Sequence, residues 1–129
     1  MGFKIHTTDD NRIPGIEYLE CGAIALEIGT ALTMSNGVLA VAGGTTKPTY
    51  LSMCERETAT SGIIPVVRIQ PDMILETTFS VAATNVRTGN KVTVSTDGKQ
   101  VTATTEGGIA EIVTIDTNVA GGICRVRFP

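Results

Sequence analysis

Apolar residues alternate with polar ones in short runs along the chain, and Gly, Asn, Asp and Pro break the runs at close intervals. Alternation at a period of two puts one side chain in and the next one out, so it predicts half-buried β-strands. It is clearest in "KVTVSTDGKQVTATT", residues 91–105. There Val92, Val94, Val101 and Ala103 share one face, and Thr93, Ser95, Thr102 and Thr104 take the other, around an Asp97-Gly98 turn. The terminal "ICRVRF" sends Cys124, Val126 and Phe128 one way and Arg125 and Arg127 the other. Upstream, "TALTM" and "VLAVA" flank Ser35-Asn36-Gly37, where Asn-Gly supplies the positive φ angles of a tight hairpin.

Four more runs read as strands: "TYLSMCER", "IIPVVRIQ", "MILETTFSV" and "IAEIVTI". The turn signals "ETATSG", Pro71-Asp72 and Gly107-Gly108 separate them from their neighbours. Pro65 inside "IIPVV" cannot donate to a ladder and predicts an edge position or a bulge. "IEYLECGAIALEI", residues 16–28, fits either a short amphipathic helix or a strand; Gly22 in its middle and the alternation of Ile24, Leu26 and Ile28 favour the strand. Residues 1–15, "MGFKIHTTDDNRIPG", mix charges with isolated hydrophobes and a Pro-Gly breaker. They read as an extended N-terminal arm with Phe3, Ile5 and Ile13 as its anchors. The expected fold is all-β: a small barrel or sandwich of short antiparallel strands over residues 16–129, forming either one unit or two lobes at about 16–77 and 78–129.

Composition narrows the function classes. The chain has 129 residues, about one domain, and 42% of them are hydrophobic, but only 4% are aromatic and Trp is absent. Val, Ile, Leu and Ala must therefore fill the core. Net charge is -3 and the ten cations are scattered, so nucleic acid is not an expected partner. No stretch approaches the roughly 18 to 20 apolar residues of a membrane span, and the start lacks an apolar signal region, so no membrane partner is expected and synthesis is placed in the cytoplasm. Cys21, Cys54 and Cys124 are far apart, odd in number and without a Cys-x-x-Cys pair, which argues for reduced thiols packed as small hydrophobes.

Little chemistry is left over. His6 is the only histidine and lies in the arm, so a nucleophile has no fixed base. His6 with Asp9 and Asp10 offers metal-capable atoms on a loose segment, which weakens preorganisation. The glycine pairs at 43–44, 107–108 and 121–122 lack the Lys and hydroxyl of a phosphate loop and read as turns. Glu55, Arg56 and Glu57 read as a solvated rim. Arg125 and Arg127 share a strand face that either meets solvent or grips an acidic neighbouring subunit. No catalytic, cofactor-binding or metal-ligating residue is assigned, and the expectation is a non-enzymatic protein of surface contact.

The order "GTALTMSNGVLAVAGGTTKPTYLSMCERE", "IIPVVRIQPDMILETTFS", then "GNKVTVSTDGKQVTATTEGGIAEIVTID" and "GICRVRF" resembles small virion proteins of tailed bacteriophages. Its first half resembles the head decoration proteins of the lambda head-stabilising class. The resemblance spans most of residues 16–128 and rests on hydrophobic and turn patterns. It implies a β-rich protein, without catalytic residues or cofactors, that joins the outside of an expanded capsid. Its partners would be the major capsid protein and further copies of itself, as a homotrimer. Such proteins often use an N-terminal arm to add a strand to a capsid element, a part residues 2–15 could play. Phe3, Ile5, Ile13, Arg125 and Arg127 are the candidate contact residues. The "QPDMILETTFS" segment and the C-terminal hairpin depart from the smallest members. Two alternatives stand beside decoration: another phage structural part, in the tail or head-tail joint, and a small ligand-binding barrel, for which aromatics are scarce.

Overall fold

The computed structural model describes residues 2–8, 14–57 and 61–129, and among these every regular element is a β-strand. Ten strands form two layers. The first is a five-stranded ring made of β2 (Ile16–Cys21), β3 (Ala31–Ser35), β4 (Val38–Val41), β5 (Tyr50–Ser52) and β6 (Gly62–Arg68), in the order β2-β4-β3-β5-β6. The second is a sheet of β1 (Lys4–Thr7), β7 (Ile74–Thr78), β10 (Ile123–Arg127), β9 (Ala110–Ile115) and β8 (Lys91–Val92), in the order β1-β7-β10-β9-β8. The all-β expectation holds.

The hairpins form where turn chemistry asks for them. Asn36 and Gly37 adopt φ of 52° and 83°, and β3 pairs with β4 from Leu32↔Val41 to Ser35↔Val38 across that turn. Around Asp97-Gly98, Val94 bridges Val101 and the Thr93 and Thr102 hydroxyls meet at 2.7 Å on the opposite face. The 16–28 stretch is only partly strand: β2 ends at Cys21, and Leu26 then makes a single bridge to Arg56 within a loop. Pro65 is neither at a sheet edge nor in a bulge, because β6 pairs with β2 on one side and β5 on the other. Its carbonyl accepts from Met53 N–H at 3.0 Å, just beyond the last β5 residue. The donor it lacks therefore falls where β5 has already left the ladder.

Two cores result. Inside the ring, Cys21, Leu32, Leu39, Tyr50, Ile64 and Val66 are buried against one another. The larger core lies between ring and sheet, where Ala31, Leu51 and Val67 from the outside of the ring meet Leu75, Phe79 and Phe128 from the sheet. Three backbone joints lock the layers together: Ala31 N–H to Gly98 O at 2.7 Å, Gly44 and Val94 exchanging bonds at 2.8 and 3.0 Å, and Phe3 N–H to Gly29 O at 2.9 Å. A Cβ on Gly43 would come within 2.8 Å of Ser95 O, so this seam demands glycine. Residues of the 78–129 segment share the larger core with Ala31, Ala42, Leu51 and Val67 of the ring segment. The chain passes from ring to sheet across residues 69–73, and β7 joins β1 and β10 in one sheet.

The arm is extended, as expected, but docked on its own chain. Lys4, Ile5 and Thr7 pair with Glu76, Leu75 and Ile74 of β7, and Phe3 is buried with its ring edge-on to Phe128 at 5.7 Å. Ile13 lies outside the described residues, as do Asp9 and Asp10.

Candidate functional site

Four arginines of the described chain, Arg56, Arg68, Arg125 and Arg127, are engaged in contacts within the fold. Arg125 reaches Glu76 at 3.2 Å and Asp116 at 3.8 Å, and Arg127 reaches Glu111 at 2.6 Å. These two cations share a face, as their spacing predicts, but they are matched by carboxylates on neighbouring strands. Two other arginines close the ends of the ring. Arg68 lies over the Tyr50 ring, 5.0 Å from its centroid, donates to Tyr50 Oη at 2.9 Å and pairs with Glu17 at 3.4 Å. Arg56 turns inward at the other end and gathers a loop: it donates to Gly22 O at 2.8 Å, to Ile24 O at 2.9 and 3.1 Å, and to Cys21 Sγ at 3.5 Å. Glu55 and Glu57 on either side of it do face solvent, so only part of the expected rim exists.

All three thiols are free, and Cys21 and Cys124 are buried. Burial raises Cys21 above its ordinary range, with Arg56 beside it opposing the shift, and burial pushes Cys124 up to about 12. His6 is exposed on β1. Among the described residues no three His, Cys, Asp or Glu side chains gather into a metal site.

What the molecule presents instead is an apolar face. On the outside of the ring, the register pairs Ile16 with Val67, Tyr18 with Pro65 and Glu20 with Ile63, and Met53 follows Leu51 onto the same side. The sheet covers Leu51 and Val67 completely and stops there. Beyond that line Tyr18 is 69% exposed, Ile63 68% and Ile16 54%. A large aromatic and two isoleucines in one open patch are far more apolar than isolated surface hydrophobes. β2 is also paired on one side only along most of its length, since β4 touches it at the single parallel pair Cys21↔Leu39.

Met53 also borders an apolar groove of about 240 Å³ running beside β1, with Phe3, Ile5, Ile28 and Leu51 in its walls. Lys4, Glu27 and Glu55 stand, with Gly2 and Ile28, at an adjoining hollow. Of the candidate contact residues, Phe3 and Ile5 thus line a groove at the β1 edge, while Arg125 and Arg127 lie on β10, an interior strand of the same sheet. Sequence reading did not single out the Tyr18 and Ile63 face: the Pro65 signal in "IIPVV" speaks to ladder pairing, and nothing in that run says which side of the strand is left uncovered. No family model matches the chain, and neither a curated protein nor a solved structure matches it.

Proposed function

We propose that the protein is a structural part of a tailed-bacteriophage virion, a decoration protein seated on the outside of the expanded capsid against the major capsid protein. The observation that carries this reading is the bare apolar face of Ile16, Tyr18, Ile63 and Met53, on a domain where Arg56, Arg68, Arg125 and Arg127 are held in internal contacts. Open apolar surface of this kind belongs against another protein. The likeness of the Asn36-Gly37 hairpin and of the "KPTYLSMCE" to "IIPVVRI" strand pairing to head decoration proteins supplies the identity of that partner.

In this reading the arm contributes by its second edge. β1 is paired to β7 on one side and borders the Phe3-Ile5 groove on the other, so a capsid strand can extend the sheet there. Copies fixed on a lattice, and joined as trimers, engage neighbouring sites together, so modest contacts add up. No catalytic step is involved.

The test is the ratio of this protein to the major capsid protein in purified virions, by quantitative mass spectrometry. A ratio near one copy per capsid subunit is expected. A handful of copies would reassign it to the tail or head-tail joint, and absence from virions would overturn the reading.

A further inference from the structure

The tip of the β3–β4 hairpin places an asparagine directly before a glycine in an open turn. Asn36 and Gly37 are both exposed, and nothing lies within 4 Å of the position a Cβ on Gly37 would take. Among the described residues no hydrogen bond holds the Asn36 amide or the Gly37 N–H. Asn36 is also the one described residue other than glycine with a positive φ.

We infer that Asn36 is a site of spontaneous deamidation, and that among the described residues the fold confines this chemistry to that turn. The Gly37 nitrogen loses its proton to solvent base and attacks Asn36 Cγ. The new N–Cγ bond forms as the Cγ–Nδ2 bond breaks, and Nδ2 takes up a proton and leaves as ammonia. Water then opens the cyclic imide at either carbonyl, leaving aspartate or isoaspartate at position 36. Water is the only co-reactant. Glycine favours the step because no Cβ shields its nitrogen. The hairpin tolerates the product: its register is held by Leu32↔Val41 and Met34↔Leu39, with Leu32 and Leu39 buried, and the extra backbone atom of isoaspartate falls where nothing packs.

Asp97-Gly98 is chemically similar and structurally the opposite. Gly98 N–H donates to Ser95 O at 2.9 Å, and Gly98 O accepts from Ala31 N–H at 2.7 Å. Asp97 Oδ1 accepts from Ser95 Oγ at 2.6 Å and Lys99 N–H at 3.1 Å. That nitrogen and that carboxyl group are held in place, and lengthening the backbone there would break the joint between the layers. The other described asparagines, Asn85, Asn90 and Asn118, precede Val86, Lys91 and Val119, whose side chains screen the nitrogen. The inference is independent of the proposed function.

The experiment incubates the folded protein at mildly alkaline pH and physiological temperature. Peptide mass spectrometry with electron-transfer fragmentation then locates each conversion and separates aspartate from isoaspartate. Conversion at residue 36, with both products present and one ammonia released per converted Asn36, is expected, while Asp97 and the other described asparagines stay intact until urea unfolds the protein. Asn36→Asp, which still suits the turn, should remove the ammonia release that accompanies conversion at residue 36. The inference is overturned if residue 36 stays asparagine in the folded protein over the time its urea-unfolded form converts. Equal reaction at Asp97 or another described asparagine in the folded protein, or undiminished ammonia from Asn36→Asp, would overturn it as well.

Discussion

The inside of the ring and the space between ring and sheet are both filled with aliphatic side chains, but they close in different ways. Between the layers, Phe3, Phe79 and Phe128 complete a core closed by aromatic and aliphatic side chains. The ring has strands of three to seven residues and a narrow interior, and its two ends are stopped by the guanidinium groups of Arg56 and Arg68. A short barrel-like ring cannot cap itself with apolar residues without exposing them, whereas a long cation can cover the opening with its stem and satisfy carbonyls or an aromatic face with its head. The difference teaches where stability and surface are made: the inter-layer core holds the molecule together, and the same outer ring face that builds it runs on, uncovered, into Tyr18 and Ile63.

That contrast can be broken most severely through the shared core. Phe79→Ala empties a fully buried site and should cost about 3–5 kcal/mol, read as a lower urea midpoint with both layers lost in one transition. Unfolding of the sheet alone would show that the cores are independent. Next comes the ring's own stopper. Arg56→Met keeps the stem and removes the bonds to Gly22 and Ile24, and should cost about 1.5–3 kcal/mol by the same measurement. A neutral result would mean the loop does not depend on its clamp.

A subtler separation uses pH. Burial in the fold pushes the Cys124 thiol up to about 12, while in the unfolded chain it ionises near its ordinary value of 9.0. The folded state therefore binds the proton more tightly, so stability is undiminished below pH 9 and falls as pH rises from about 9 towards 12. Cys124→Val should flatten that alkaline decline in urea titrations; an unchanged slope would place its origin elsewhere. The smallest effect on stability is expected at the open face. Tyr18→Ser with Ile63→Ser should shift stability by no more than about 0.5 kcal/mol per substitution. The same pair should abolish co-sedimentation with expanded capsids, and retained binding would remove this face from the proposed function.

How far the chain could be read follows from how local each signal is. The Asn36-Gly37 and Asp97-Gly98 turns and the inward set Cys124, Val126 and Phe128 were readable because each depends on residues a few positions apart. Arg56 was not, since its acceptors Gly22 and Ile24 lie more than thirty residues upstream and nothing near "MCERETA" announces them. The docking of the arm depends on β7, some seventy residues away. For the candidate site the gap is wider: Phe3 and Ile5 were named, but the Tyr18 and Ile63 face was not.

Turn chemistry and two-residue alternation settle the strand content, most hairpins and the all-β class, because φ preferences and side-chain direction act within a few residues. Which of the apolar faces is covered was decided only when the strands assembled. Val67 and Ile63 sit four positions apart on one side of β6, equally hydrophobic, and one is buried while the other is bare. The sheet that separates their fates is built from β1 and from strands beyond residue 73, and no pattern within "IIPVV" can register where that sheet ends.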